Sequence, residues 1–286
     1  MFIIVIDKGC EIMNNKSDLT NFAATILNSF GIDKAETMNE ADKEVLNKIT
    51  ETGKREKAFL FHADAVPAYI IKNYPEIFTK VRENTKVEAE FNSVMPSITP
   101  VCFGAMFSGA YPENNGIPKY LKPILSKELV QPSLKVTTMV DLLTENGLKV
   151  ALVTCNNGCI ASMLYKRGAD MFIIDGDDDE KMYNKALELL VSDNYDVIML
   201  YQLSFDYKMH KMGPENEESL NILKEITDRF GVISEKVKEI WKDKKYLTVF
   251  NTDHGSHLNP PDDKNKGGHG LDIPEDMELI WFFGAN

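Results

Sequence analysis

Hydrophobic positions fall into two patterns that alternate along the chain from about residue 57 onward. Short apolar runs rich in Val, Ile, Leu and Phe are typical of strands in a buried sheet. The longer stretches between them repeat their apolar residues every three or four positions, which is typical of amphipathic helices. The predicted strands are residues 58–62, 86–94, 149–154, 170–174, 196–201, 246–251 and 277–283, and the predicted helices are residues 66–74, 136–145, 179–192 and 217–242.

Strands that alternate with helices predict an α/β fold, a three-layer α/β/α sandwich with a mostly parallel sheet. The first 55 residues have a different pattern, with two predicted helices and no side chain suited to catalysis. The first helix follows a capping sequence near residue 17, and the second, which is charged, covers residues 36–52. We therefore predict an N-terminal helical extension (residues 1–55) packed on a catalytic domain (residues 56–286).

Composition and charge limit the kinds of partner. The 286 residues are 43% hydrophobic, which is enough for a large buried core. The formal net charge of −12 repels nucleic-acid backbones, and no run approaches the roughly 18–20 apolar residues that span a bilayer, so neither a nucleic acid nor a membrane is an expected partner. The four cysteines form no disulfide framework, which predicts a cytoplasmic protein. Cys155 and Cys159 match no common zinc spacing, which favours a structural role over a weak metal pair.

Acidic and imidazole side chains follow several of the predicted strands. Ligands of parallel α/β sheets bind beyond the carboxyl ends of the strands, so these side chains are expected to meet at one edge. Carboxylate oxygen together with imidazole nitrogen suits zinc and tolerates manganese or iron. Any one of them alone is better explained as a helix cap or a polar core residue, whereas the set indicates a metal site. Its members are Asp64, Asp206, His210, Asp253, His254 and His269.

The candidate nucleophile is Thr99, which is followed by Pro100. This pair has the form of a helix N-cap with proline at the first helical position, and the predicted helix runs to about residue 107. The Thr99 hydroxyl would then lie beside the first free backbone N–H groups, at a helix end that favours a phosphoryl oxygen. Many such pairs only cap a helix, so both interpretations of Thr99 stand at this point.

Four motifs in a fixed order resemble the type I phosphodiesterase/nucleotide pyrophosphatase family of the alkaline phosphatase superfamily. They are MPSITPVCFGAMFSGAYPENNGI from Met95, DYKMHKMGP from Asp206, TDHG from Thr252 and GHG from Gly268. Asp64 matches the aspartate that follows the family's first strand. The resemblance extends from about residue 57 to the last residue and implies an alkaline-phosphatase-like fold.

The resemblance also implies a two-metal hydrolase. Asp206, His210 and His269 would bind one divalent ion, and Asp64, Asp253, His254 and the Thr99 oxygen would bind the other. Zinc is the expected metal, with manganese as the alternative. Thr99 would attack phosphorus to give a phosphothreonine intermediate, while the two cations would activate the nucleophiles and stabilise the leaving oxygen. The expected partner is a small phosphorylated substrate with a phosphodiester or pyrophosphate bond, a nucleotide being one candidate.

One position departs from the family pattern. In the family's nucleotide-cleaving members, an asparagine stands three residues after the threonine that matches Thr99. This chain has Cys102 there, a poor hydrogen-bond donor. Tyr120 and Lys122 are candidates to replace that contact, and a lysine there would favour a phosphomonoester. The alternatives are therefore a phosphomonoesterase or phosphonate hydrolase, then a phosphosugar mutase, then a catalytically silent metal-binding relative.

Overall fold

The computed structural model describes residues 11–117, 119, 134–156 and 159–286, with side chains from residue 17 onward. The described residues form one eight-stranded sheet and a separate two-stranded ribbon. The strands are β1 (Glu11–Asp18), β2 (Lys57–Ala63), β3 (Val87–Asn92), β4 (Val150–Cys155), β5 (Asp170–Ile174), β6 (Val197–Gln202), β7 (Tyr246–Asn251), β8 (His257–Leu258), β9 (Gly267–Gly268) and β10 (Glu278–Ala285).

Helices connect most of these strands. In the described residues they are α1 (Asn21–Ser29), α2 (Lys43–Ile49), α3 (Ala68–Asn73), a 3-10 helix (Pro75–Phe78), α4 (Thr79–Asn84), α5 (Thr99–Ser108), α6 (Pro112–Asn115), α7 (Met139–Glu145), α8 (Ile160–Leu164), α9 (Asp179–Ser192), α10 (Ser204–Met212), α11 (Glu217–Ile240) and α12 (Pro274–Met277). No helix in the described parts of the chain is both long enough and apolar enough to cross a bilayer.

The large sheet has the order β1-β3-β10-β7-β2-β6-β4-β5. Its strands run parallel except β10, which is antiparallel to both neighbours, β3 and β7. The predicted α/β class with a mostly parallel sheet is therefore confirmed. The predicted strands 170–174 and 246–251 and the predicted helix 179–192 agree with β5, β7 and α9 to the residue.

Helices cover both faces of the sheet, as the environment of strand β2 demonstrates. Successive side chains of a strand point to opposite faces. Phe61 contacts Phe230 of α11, with ring centroids 5.7 Å apart, whereas the next residue, His62, contacts Phe22 of α1 and Phe103 of α5. Helix α11 therefore lies on one side of the sheet, and α1 and α5 lie on the other.

The structure differs from the predicted helical extension at two points: α2 (Lys43–Ile49) is shorter than the predicted helix 36–52, and the described part of the chain begins with a strand. Helices α1 and α2 are present, but strand β1 precedes them and pairs in parallel with β3 at the edge of the sheet. Its sequence, EIMNNKSD, is polar, because an edge strand does not need the apolar residues that mark a central one. The hydrophobic pattern therefore gave no signal for this strand. The domain boundary at residue 55 remains a prediction.

Candidate metal centre

Three neighbouring strands in the middle of the sheet position the candidate ligands. Strand β2 lies between β7 and β6 and is parallel to both, with His62 opposite Asn251 and Ala63 opposite Gln202. Their carboxyl ends therefore open at the same edge. Asp64 follows β2 directly. Asp253 and His254 follow β7, and α10, which starts two residues after β6, carries Asp206 and His210.

The six predicted ligands converge into two groups. We call Asp206, His210 and His269 the Asp206 group, and Asp64, Asp253 and His254 the Asp64 group; the ligand atoms within each group lie within 4.8 Å of one another. In the Asp206 group, Asp206 Oδ1 lies 3.4 Å from His210 Nε2 and 3.5 Å from His269 Nε2. In the Asp64 group, His254 Nε2 lies 3.4 Å from Asp64 Oδ1 and 3.4 Å from Asp253 Oδ2. The two groups are adjacent, because the His254 and His269 rings stack with centroids 4.1 Å apart.

The three histidines are oriented in the same way. Nδ1 of His210 lies 2.9 Å from the Gly267 carbonyl, Nδ1 of His254 lies 2.9 Å from the Gly255 carbonyl, and Nδ1 of His269 lies 3.1 Å from the Ser97 carbonyl. A carbonyl oxygen can only accept, so each Nδ1 carries the proton. In the neutral ring the Nε2 lone pair then faces the carboxylates, which is the tautomer that metal-binding histidines adopt.

The carboxylates also fit a cation. Asp64 Oδ1, Asp206 Oδ1 and Asp253 Oδ2 are buried and receive no hydrogen bond from an N–H or hydroxyl group among the described residues. These are the oxygens that face the Nε2 atoms. A tetrahedral zinc site with bonds of roughly 2.0–2.2 Å places neighbouring ligand atoms roughly 3.3–3.6 Å apart, which agrees with the observed separations. Both groups therefore fit a divalent metal ion.

Burial and like charge perturb the metal-free ligands strongly. Burial raises the pKa of Asp64 well above its usual range, and the neighbouring Asp253 carboxylate raises it further. Burial likewise raises the pKa of Asp206 and that of Asp253 to about 7. Burial and the nearby imidazoles lower the pKa of His269 to about 2. Three buried carboxylates and an imidazole that resists protonation form a site whose charge a cation would balance.

Thr99 is placed beside the Asp64 group. The N-cap of α5 is Ile98, so Thr99 is the first helical residue and not the cap. Its Oγ1 lies instead 3.3 Å from His254 Nε2. The prediction that Thr99 is the N-cap of this helix is therefore wrong. The free N–H groups expected beside it are also fewer, since Pro100 has none and the amides of Val101 and Cys102 donate to the Ile98 carbonyl.

The predicted substrate-binding residues are less well supported. Cys102 is fully buried, and its Sγ lies 3.2 Å from Ser93 Oγ. Burial raises the pKa of this thiol well above its usual range, so it stays protonated. Tyr120 and Lys122 lie outside the described residues. Neither Cys155 nor Cys159 belongs to a metal-binding group among the described residues, and both are buried.

Two contacts at the site have no counterpart in the sequence prediction. The Tyr201 hydroxyl donates a hydrogen bond to Asp64 Oδ2, whereas Asp64 Oδ1 is the oxygen that lies 3.4 Å from His254 Nε2. Asp276 is fully buried and accepts a hydrogen bond from His257 Nδ1 at 2.7 Å, which fixes the loop that follows His254. Tyr201 stands inside an apolar strand and Asp276 in a charged loop, so neither position carries a sequence signal for this role.

The chain is similar to a known protein family and to several solved structures. The family model "Type I phosphodiesterase / nucleotide pyrophosphatase" matches residues 59–272. Murine ectonucleotide pyrophosphatase/phosphodiesterase 5 superposes with a TM-score of 0.60 at 13% identity, covering 79% of this chain and 87% of the murine chain. The human protein superposes with a TM-score of 0.63 at 13% identity, covering 80% of this chain and 87% of the human chain. An inactive threonine-to-alanine variant of the murine protein in complex with AMP superposes with a TM-score of 0.60 at 12% identity, covering 79% of this chain and 87% of the variant chain.

Likeness at this level of identity shows the fold, which is alkaline-phosphatase-like. No curated protein matches the sequence.

Proposed function

The chain belongs to the type I phosphodiesterase/nucleotide pyrophosphatase family, and on that basis we propose that it hydrolyses phosphodiester or pyrophosphate bonds with Thr99 as the nucleophile. The observation that carries this proposal is the position of the Thr99 hydroxyl. It belongs to the first helical residue rather than to the N-cap, and it lies 3.3 Å from Nε2 of His254, a member of the Asp64 group. A hydroxyl in that position can be activated by the same centre that binds the phosphate.

The proposed cofactor is a pair of divalent metal ions, one for each ligand group. Zinc suits two imidazoles with a carboxylate, and equally two carboxylates with an imidazole, while manganese is the alternative for the oxygen-richer Asp64 group. When bound, the two cations would lower the pKa of the attacking oxygen and balance the charge that develops on the phosphoryl and leaving oxygens. The Thr99 oxygen would complete the Asp64 group.

The chain's own groups then define two displacements at phosphorus. In the first, the bond between Thr99 Oγ1 and phosphorus forms and the bond to the leaving oxygen breaks. The hydroxyl proton passes to solvent, and the leaving group takes up a proton. In the second, water attacks phosphorus, the bond to Oγ1 breaks and Thr99 recovers its hydroxyl. The helix end at Thr99 offers few free amides to the phosphoryl oxygens, so the two cations, when bound, would balance most of their charge.

The proposed substrate is a small nucleotide. Its support is the family assignment and the AMP complex of the murine relative. In this chain the buried Cys102 thiol contacts Ser93 and offers no amide to the substrate. Contacts that select between a diester and a monoester must therefore come from other groups, for which Tyr120 and Lys122 remain the candidates.

The direct test compares hydrolysis of bis-p-nitrophenyl phosphate and p-nitrophenyl phosphate by protein loaded with zinc or with manganese. The proposal predicts faster turnover of the diester. Faster turnover of the monoester would move the assignment to a phosphomonoesterase. Two bound metals without turnover of either ester would contradict the proposal and favour a specialised or silent relative.

A further inference from the structure

Asp179 is the first residue of helix α9, yet its carboxylate accepts hydrogen bonds from the start of a different helix, α10. Helix α9 has its own cap, since the side chain of Asp178 accepts the amide of Lys181 at 3.0 Å. The Asp179 carboxylate instead accepts the amide of Leu203 at 2.9 Å and the amide of Ser204 at 3.0 Å. These two amides mark the start of helix α10.

Helix α10 depends on this contact. Its N-cap, Leu203, provides no side-chain hydrogen bond, so the first amides of the helix need partners from elsewhere. A carboxylate at a helix N-terminus gives two charge-assisted bonds and interacts favourably with the helix dipole. The main-chain carbonyl of Asp179 also accepts Gln202 Nε2 at 3.0 Å. Asp179 thus contacts three successive residues at the junction of β6 and α10.

The side chain of Asp179 is held away from water. The residue is 4% exposed, and this burial raises the pKa of the carboxyl group while the Leu203 and Ser204 amides lower it. Without those amides, the Ser204 hydroxyl and the nearby Arg229 charge would offset less of the desolvation of this buried carboxylate. The contact is therefore expected to be rigid.

Helix α10 carries two ligands of the Asp206 group and none of the Asp64 group. Asp206 comes two residues after Ser204, and His210 follows one turn later on the same side of the helix. A shift in the start of α10 would move both side chains relative to His269, which lies on a separate loop. The Asp64 group is built from the loops after β2 and β7. It meets this junction where the Asp64 amide donates to the Gln202 carbonyl, which the β2–β6 ladder holds, so a shift of α10 would leave it in place.

We propose that Asp179 is a positioning residue for one half of the metal pair, orienting helix α10 so that Asp206 and His210 meet His269. The inference rests on the proposed two-metal function and adds to it a residue outside the ligand set. It assigns Asp179 an effect on the Asp206 group alone.

The test measures metal affinity rather than turnover. Asp179→Asn keeps the shape of the side chain but turns one acceptor into a donor that faces an amide. Asp178→Asn is the matched control, because it makes the same change at the neighbouring residue, where the carboxylate caps only α9. Each variant is made in two backgrounds. Asp64→Asn with Asp253→Asn leaves only the Asp206 group, and His210→Ala with His269→Ala leaves only the Asp64 group.

Zinc affinity is then measured by competition with a chelating indicator. Loss of a group that orients metal ligands typically weakens binding about 10- to 100-fold. We expect this loss for Asp179→Asn where only the Asp206 group remains, no loss where only the Asp64 group remains, and no loss for Asp178→Asn in either background.

Equal weakening of both groups would show a general structural role and overturn the proposal, as would unchanged affinity of both. The retained Asp64 group also reports that the variant is folded. Failure of the unsubstituted chain to bind zinc at either group would be a different result, since it would refute the metal pair and the proposed function together.

Discussion

The hydrogen bond from Tyr201 to Asp64 leads to a quantitative prediction for the variant Tyr201→Phe. The phenol donates to Asp64 Oδ2, which leaves Oδ1 to face His254. Removing the hydroxyl would let the Asp64 carboxylate rotate and would leave Oδ2 without this donor. The change deletes one oxygen from a buried ring, so no large cavity accompanies it.

The magnitude follows from burial. Tyr201 is 4% exposed and Asp64 is 2% exposed, so water cannot readily replace the lost donor. A hydrogen bond to a charged group contributes about 1.5–3 kcal/mol, and loss of a partner of a metal ligand weakens metal binding about 10- to 100-fold. A cost of about 2 kcal/mol corresponds to about 30-fold weaker metal binding by the Asp64 group.

The assay is zinc competition in the background that retains only the Asp64 group, His210→Ala with His269→Ala. Tyr195→Phe is the matched control, since Tyr195 donates to the Asp170 carboxylate at 2.8 Å on the surface, far along the sheet from the site. We expect the control to bind zinc as the parent does. The reasoning is refuted if Tyr201→Phe changes zinc affinity by less than about twofold in this background, or if it weakens zinc binding equally in the Asp64→Asn, Asp253→Asn background, where only the Asp206 group remains.

Three further predictions follow from the core and from metal binding. Phe103 is 1% exposed and packs against Tyr201 and Phe107, so Phe103→Ala should lower the free energy of unfolding by about 3–5 kcal/mol in urea titrations; a loss below about 1 kcal/mol would contradict this packing. Burial lowers the pKa of His62 to about 4, so His62 binds a proton in the unfolded chain but not in the folded one between pH 4 and about 6.5. Its contribution to stability therefore falls as the pH falls through that range, opposite in sign to that of the three buried aspartates of the metal centre. His62→Phe should remove this contribution, so the difference in unfolding free energy between parent and variant should change with pH; a difference that stays constant from about pH 4 to 6.5 would contradict this. A chelator should lower the thermal unfolding temperature, because metal ions bind only the folded site, and an unchanged temperature would argue against resident metals.

The central strands of the sheet could be predicted from the sequence because they are buried on both faces. Residues 246–251 have the apolar character of such a strand, and the observed β7 has the same limits. Residues 170–174 form the edge strand β5, which is partly exposed but whose apolar run still marked its limits. Ligand convergence was predictable for the same reason, since parallel neighbours end at one edge. Strand β1 was not, because its polar sequence lacks that pattern.

Contacts that join residues distant in sequence could not be predicted. Tyr201 and Asp64 are 137 positions apart, and Asp179 and Leu203 are 24 apart. In the sequence, Tyr201 looks like one more apolar strand residue and Asp179 like an ordinary acidic residue at the start of a helix. Their roles depend on which loops meet at the carboxyl edge of β6. The sequence prediction also placed the helix cap one residue too late, at Thr99 instead of Ile98. Because Thr99 is not the cap, its hydroxyl is available for another contact.

The central claim is that Thr99 carries the phosphoryl group during turnover. The most direct measurement is rapid acid quenching of the zinc-loaded protein with a phosphodiester, followed by mass spectrometry of the peptide that contains Thr99. We predict a covalent phosphoryl adduct on Thr99, and its absence in Thr99→Ala, which should retain two metal ions and lose about a thousandfold or more in turnover. An adduct on another residue, or near-normal turnover by Thr99→Ala, would contradict the account.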